Sequence, residues 1–160
     1  MPDWISHILF GLILAELLSV KKKSLIVLGA VLPDIFSKIT HLQTFFPNLS
    51  SDIIYRLVFP FHTVIGGILL AIVITPLFRY PWKKTAFLIS LGVLTHLLAD
   101  STVKVFTSNY QGSFLFPFSW HGYGLNIVRT ENFFVVIISF FIVWILIKLV
   151  KTYTLHQNKA

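Results

Sequence analysis

A chain of 160 residues that is 56% hydrophobic and only 12% charged, with a mean hydropathy of +0.82, is too apolar for a soluble globular domain, where about a quarter of residues carry charge. Thirteen Lys and Arg against six Asp and Glu give a net charge of +7, but the basic residues punctuate apolar runs instead of clustering among aromatics. That pattern speaks for membrane topology and against nucleic-acid binding. The absence of cysteine excludes a disulfide scaffold and thiolate zinc fingers, so any metal must be held by His and carboxylates.

The chain opens Met1-Pro2-Asp3-Trp4, with no basic stretch before the first apolar run and no small-residue cleavage motif before Lys21. The first helix is therefore expected to stay in the mature protein. Apolar content and punctuation predict five helical segments, at about 5–20, 25–39, 61–78, 85–103 and 132–150. The third lies in an uncharged run, 57–78, and the fifth begins with another, 132–147; a spanning helix needs roughly 17 to 25 apolar residues. The first two segments are shorter and carry His7, Glu16 and Asp34, which suits a hairpin buried among other helices or only partly inserted. The expected fold is an all-α, polytopic membrane bundle of about five helices, forming one domain over 1–160.

Basic residues set the orientation. Lys21, Lys22 and Lys23 separate the first two segments, Arg79, Lys83 and Lys84 the third and fourth, and Lys148, Lys151 and Lys159 follow the fifth, leaving only Lys38, Arg56, Lys104 and Arg129 elsewhere. Because cytoplasmic loops are enriched in Lys and Arg, these three groups are expected inside. The loops at about 40–60 and 104–131 then face outward, in a multi-pass protein of the plasma (inner) membrane. Asp3, Asp34, Asp52, Asp100 and Glu131 all fall on the outer side, as do five of the six histidines. Ionisable groups near a membrane are expensive unless paired, metal-bound or hydrated, so this collection needs a cause.

Counting from the nearest inner turn, His7 is 14 residues before Lys21, Asp34 is 11 after Lys23, His62 is 17 before Arg79, and His96 and Asp100 are 12 and 16 after Lys84. At 1.5 Å per residue these lie roughly 17 to 26 Å above the inner turns. Four helices thus present His or Asp within about two turns of one level, and Glu131 lies there as well.

Each element has a plainer explanation. His96 and Asp100, at i and i+4, share a helix face and can bind one ion or each other. His62 can be a cap, Asp34 after Pro33 a helix-ending turn, and His7 a neighbour of Trp4 at the headgroup level. Together those explanations require independent coincidences at one depth. Imidazoles and carboxylates suit Zn²⁺, with Mn²⁺ or Fe²⁺ also feasible, and three or four ligands leave a position for water. A metal acidifies that water and polarises a phosphoryl or acyl oxygen, so hydrolysis needs no Ser or Cys nucleophile.

Trp4, His7, Pro33-Asp34, Phe61-His62-Thr63 and His96-x-x-x-Asp100, in that order over the first hundred residues, resemble the YdjM-like family of membrane-bound metal-dependent hydrolases. That family is itself similar in motif order to zinc-dependent phospholipase C. The resemblance implies Asp34, His62, His96 and Asp100 as ligands of one metal and His7 with Asp100 holding a second. Asp34 is either a ligand or the catalytic base. The phospholipases carry a further His, His and Glu set, for which this chain offers only His121 and Glu131.

The remaining features have smaller expected roles. The aromatic loop 106–129 suits an interfacial cover over the site, with Lys104 and Arg129 beside it facing either a substrate phosphate or lipid headgroups. His41 and Asp52 are expected to be solvated. Glu16 is expected to pair with the inner lysines, and Gly66, Gly67 and Gly92 to permit close packing. The expected activity is hydrolysis of a phosphoester of a lipid or amphiphile at the outer interface, by a protein surrounded by membrane lipids and binding no nucleic acid. The alternatives are a His/Asp-based small transporter and a non-enzymatic membrane adaptor.

Overall fold

The computed structural model describes residues 4–38, 56–104, 113–122 and 124–157. Among the described residues the fold is carried by the helices α1 (Trp4–Leu17), α2 (Lys23–Ser37), α3 (Val64–Ile74), α4 (Trp82–Thr102) and α5 (Phe133–Gln157). Helices α2 and α4 form the central pair; α1 packs on both and on α5, and α3 packs on α4. Ile26, Ile89 and Val93 are fully buried at the centre, with Leu70, Ala71 and Leu97 around them.

Helix α1 ends earlier than its apolar run. Ser19 adopts a left-handed backbone, φ 52°. Its N–H donates to the Glu16 carbonyl, while that of Val20 donates to the Ala15 carbonyl, both at 3.0 Å. This is a Schellman stop with serine where glycine is usual, and it satisfies carbonyls that the helix end would orphan. Beside it Glu16 pairs with Lys23, as expected. Lys151 of α5 donates to the Glu16 main-chain carbonyl and, at 2.7 Å, to Ser19 Oγ. Lys22 donates to the Tyr80 hydroxyl at 3.2 Å. Lysines of the first and third basic groups therefore gather at one end of the bundle, with Tyr80, next to Arg79 of the second, beside them, and Lys151 also complements the negative end of α1.

The third expected helix is not one straight span. A 3₁₀ turn, Phe59–His62, meets α3 at Thr63, and the two arms are bent by 90°. Thr63 is extended; its Oγ1 donates to the Pro60 carbonyl at 2.7 Å and accepts from Gly66 N–H at 3.1 Å. A side-chain oxygen receiving an orphan N–H is what starts a helix, and the Val64 N–H donates to the Phe114 carbonyl instead of continuing a ladder through the bend. Among the described residues, α4 and α5 are long and apolar enough to cross a membrane, with the bent element a third if counted as one span. Helix α4 is half inside the bundle, whereas none of α5 is buried, as suits a helix in lipid.

Helices α2 and α4 touch backbone to backbone. A Cβ on Gly92 would collide with the Ile26 carbonyl and lie 2.7 Å from Gly29 Cα and Ala30 N; one on Gly29 would collide with the Ile89 carbonyl. Sequence reading singled out Gly92 but not its partner Gly29. Gly92→Ala should therefore cost about 1–3 kcal/mol of overpacking, measurable as a clearly lower thermal midpoint in detergent; an unchanged midpoint would refute this crossing.

Candidate metal centre

The crossing lies one helical turn below His96. It brings the Ala30 carbonyl of α2 within 2.8 Å of His96 Nδ1. A carbonyl can only accept, so Nδ1 carries a proton, and in the neutral ring the lone pair is left on Nε2. Pro33 sits inside α2, and the helix continues past it to Ser37. Asp34 is therefore held on a helix rather than in a helix-ending turn. His7 lies on α1, where its ring stacks on His96 with centroids 4.0 Å apart. His62 ends the 3₁₀ turn before the bend, and Asp100 lies one turn beyond His96 on α4.

All three histidines turn Nε2 toward the two carboxylates. His7 Nε2 is 3.9 Å from Asp34 Oδ2 and 3.6 Å from Asp100 Oδ1. His62 Nε2 is 3.5 Å from Asp34 Oδ1. His96 Nε2 is 3.9 Å from Asp34 Oδ1 and 3.2 Å from Asp100 Oδ2. The side chains of His7 and His96 are 0% exposed and that of Asp34 3%, against 20% for His62 and 16% for Asp100. His62 and Asp100 are thus the two members of the cluster that remain partly exposed.

These separations fit ligands around an ion better than a completed hydrogen-bond network. Tetrahedral ligands at about 2.1 Å from zinc stand about 3.4 Å from one another. Two sets meet the requirement, His7 with His96 and Asp100, and Asp34 with His62 and His96, each with ligand atoms within 4.8 Å. His96 Nε2 and Asp100 Oδ1 are buried and make no hydrogen bond among the described residues, an arrangement that costs about 1–3 kcal/mol per group unless a ligand completes it. The donor set is nitrogen and carboxylate oxygen, which suits zinc, manganese or iron.

All five residues singled out from the sequence, His7, Asp34, His62, His96 and Asp100, meet here. Glu131 is exposed in the 3₁₀ turn Thr130–Asn132, and His121 is exposed with its backbone N–H on Ser119 Oγ. Neither belongs to the two ligand sets. His41 and Asp52 lie outside the described residues. Sequence reading missed the Ala30 carbonyl, because backbone acceptors leave no residue signature; the small pair Gly29-Ala30 facing Gly92 was the available sign. Residues 113–122 of the aromatic loop are seated against the 3₁₀ turn that carries His62 and the start of α3. Val64 N–H donates to the Phe114 carbonyl at 2.9 Å, and Trp120 stacks on Phe59 and meets Phe116 edge-on, with centroids 6.1 and 4.7 Å apart.

Fold and cluster together define an all-helical membrane protein with buried His/Asp groups suited to a metal. The chain matches the YdjM inner membrane protein family over residues 1–158 and belongs to it. No curated protein and no solved structure shows a match.

If these groups share an ion, His62→Ala should weaken zinc binding by more than about tenfold, the scale that even outer-shell losses reach. His121→Ala should leave it unchanged. Competition with a fluorescent chelator measures both, and equal affinities in the two variants would contradict the assignment.

Proposed function

We propose that this chain is a metal-dependent hydrolase of the inner membrane, cleaving a phosphoester of a lipid or other amphiphile at the outer bilayer interface. The observation that carries the reading is the convergence of three imidazole Nε2 atoms on two carboxylates in a cluster that stays partly exposed at His62 and Asp100.

Asp34, His62, His96 and Asp100 would hold the ion, zinc in preference and manganese or iron as alternatives, with His7 and Asp100 available to a second. Bound there, such an ion supplies Lewis-acid polarisation of a phosphoryl oxygen and an acidified water. The protein supplies the rest. Ala30 fixes the His96 tautomer, and the stacked His7 ring fixes its plane. Asp34, almost fully enclosed between His7 and His62, is suited to a permanent ligand role. Asp100, the more exposed of the two carboxylates, is the ligand an entering substrate or water reaches first. The seated aromatic loop, with Phe118 and Trp120 largely exposed, provides an interfacial anchor next to the turn that carries His62.

One feature favours a second reading. Broken helices carry binding sites in many carriers, and His62 lies at the bend before α3. Metal-dependent ion or proton flux in proteoliposomes, without hydrolysis, would favour a transporter.

Chelated protein should regain hydrolysis of a short-chain phosphatidyl ester when zinc or manganese is restored. Asp34→Asn should lose metal retention and turnover together, the latter by about 100-fold or more. Turnover indifferent to chelation would overturn the hydrolase reading.

A further inference from the structure

Lys104 and Arg129 are 25 positions apart in the chain, yet the structure makes them neighbours. Leu125 N–H donates to the Ser101 carbonyl at 2.6 Å and Ile127 N–H to the Thr102 carbonyl at 2.8 Å. The two segments then continue as a short parallel pair, β1 (Val103–Lys104) and β2 (Val128–Arg129), with Val103 opposite Val128 and Lys104 opposite Arg129. Paired strands run about 4.8 Å apart and in-register residues share a face. Val103 is buried and both cations are exposed, so Lys104 and Arg129 stand side by side on the outer face.

Like charges placed directly opposite one another are unfavourable. Among the described residues neither cation has an ion-pair partner; Glu131, two residues beyond Arg129, pairs with neither. An arginine fork beside a lysine point charge is the arrangement that receives a phosphate, the fork taking two oxygens and the ammonium a third. Lys104 follows Asp100 by four residues, just past the end of α4, so the pair stands at the end of the helix that carries the partly exposed Asp100 carboxylate.

We propose that Lys104 and Arg129 form a phosphate-binding subsite at the end of the helix that carries Asp100, holding a phosphate group carried by a lipid or by a soluble ester. The inference rests on the hydrolase reading for the fate of the bound ester, but not for binding itself.

The test uses full-length protein, stripped of metal by chelation, in maltoside micelles. Inorganic phosphate and dihexanoyl phosphatidate are titrated with phosphorus NMR linewidth as the readout. The paired variant Lys104→Gln with Arg129→Gln should bind at least about tenfold more weakly, whereas Arg129→Lys, keeping charge without the fork, should fall between. Zinc uptake, measured on the same preparations, should match wild type in both variants. Weakening with both probes supports a general phosphate subsite, and binding of phosphatidate alone, lost in the paired variant, assigns it to a lipid headgroup. No binding by wild type, or equal binding by the paired variant, overturns the proposal. A wild type that takes up no zinc but binds phosphate through these residues would sink the hydrolase reading and leave the subsite standing.

Discussion

Three imidazoles and two carboxylates converge in a bundle whose core is mostly aliphatic, and desolvating charge there costs several kcal/mol per ion. Mutual pairing does not offset this fully, because His96 Nε2 and Asp100 Oδ1 complete no hydrogen bond among the described residues. The rest of the fold can be understood as what brings five expensive groups to one point and keeps them there. Coordination of a shared cation is the interaction that would make the arrangement favourable, since it satisfies nitrogen and oxygen lone pairs at the same time.

The backbone contact between α2 and α4 serves that end. Without side chains at Gly29 and Gly92 the helices approach closely enough for the Ala30 carbonyl to reach His96, which fixes the tautomer and turns Nε2 toward Asp34 and Asp100. The bend at Thr63 does a similar job for His62, carrying it on a separate short turn instead of along a straight span. At the opposite end, the Schellman stop of α1 and the lysines around Glu16 lock the first helix, and hence His7, against α2 and α5. Glu16 is nine residues from His7, about 13 Å along the helix, so the basic end and the His/Asp cluster are well separated.

Much of this was legible in the sequence because helix rise converts counted residues into depth. Counting from basic punctuation to His7, Asp34, His62, His96 and Asp100 placed them at one level, and they do come together. The all-helical fold and most helix boundaries followed from apolar runs. Two things did not. The span expected at 61–78 is broken, since hydropathy averages over Pro60 and Thr63, whose effects are on backbone hydrogen bonding and not on polarity. The β1–β2 pairing joins segments separated by the aromatic loop and rests on main-chain bonds, so no periodicity announced that Lys104 would meet Arg129.

The central claim is that the buried cluster is a metal centre. The most direct measurement is elemental analysis of detergent-purified protein, reporting moles of each transition metal per chain for wild type beside His96→Ala and Asp100→Ala. The account predicts about one or two equivalents of zinc, manganese or iron in the wild type, lost in both variants while the helical circular dichroism is retained. Wild-type protein that holds no transition metal, even after reconstitution, would contradict it and leave the five residues as a buried ion-pair network.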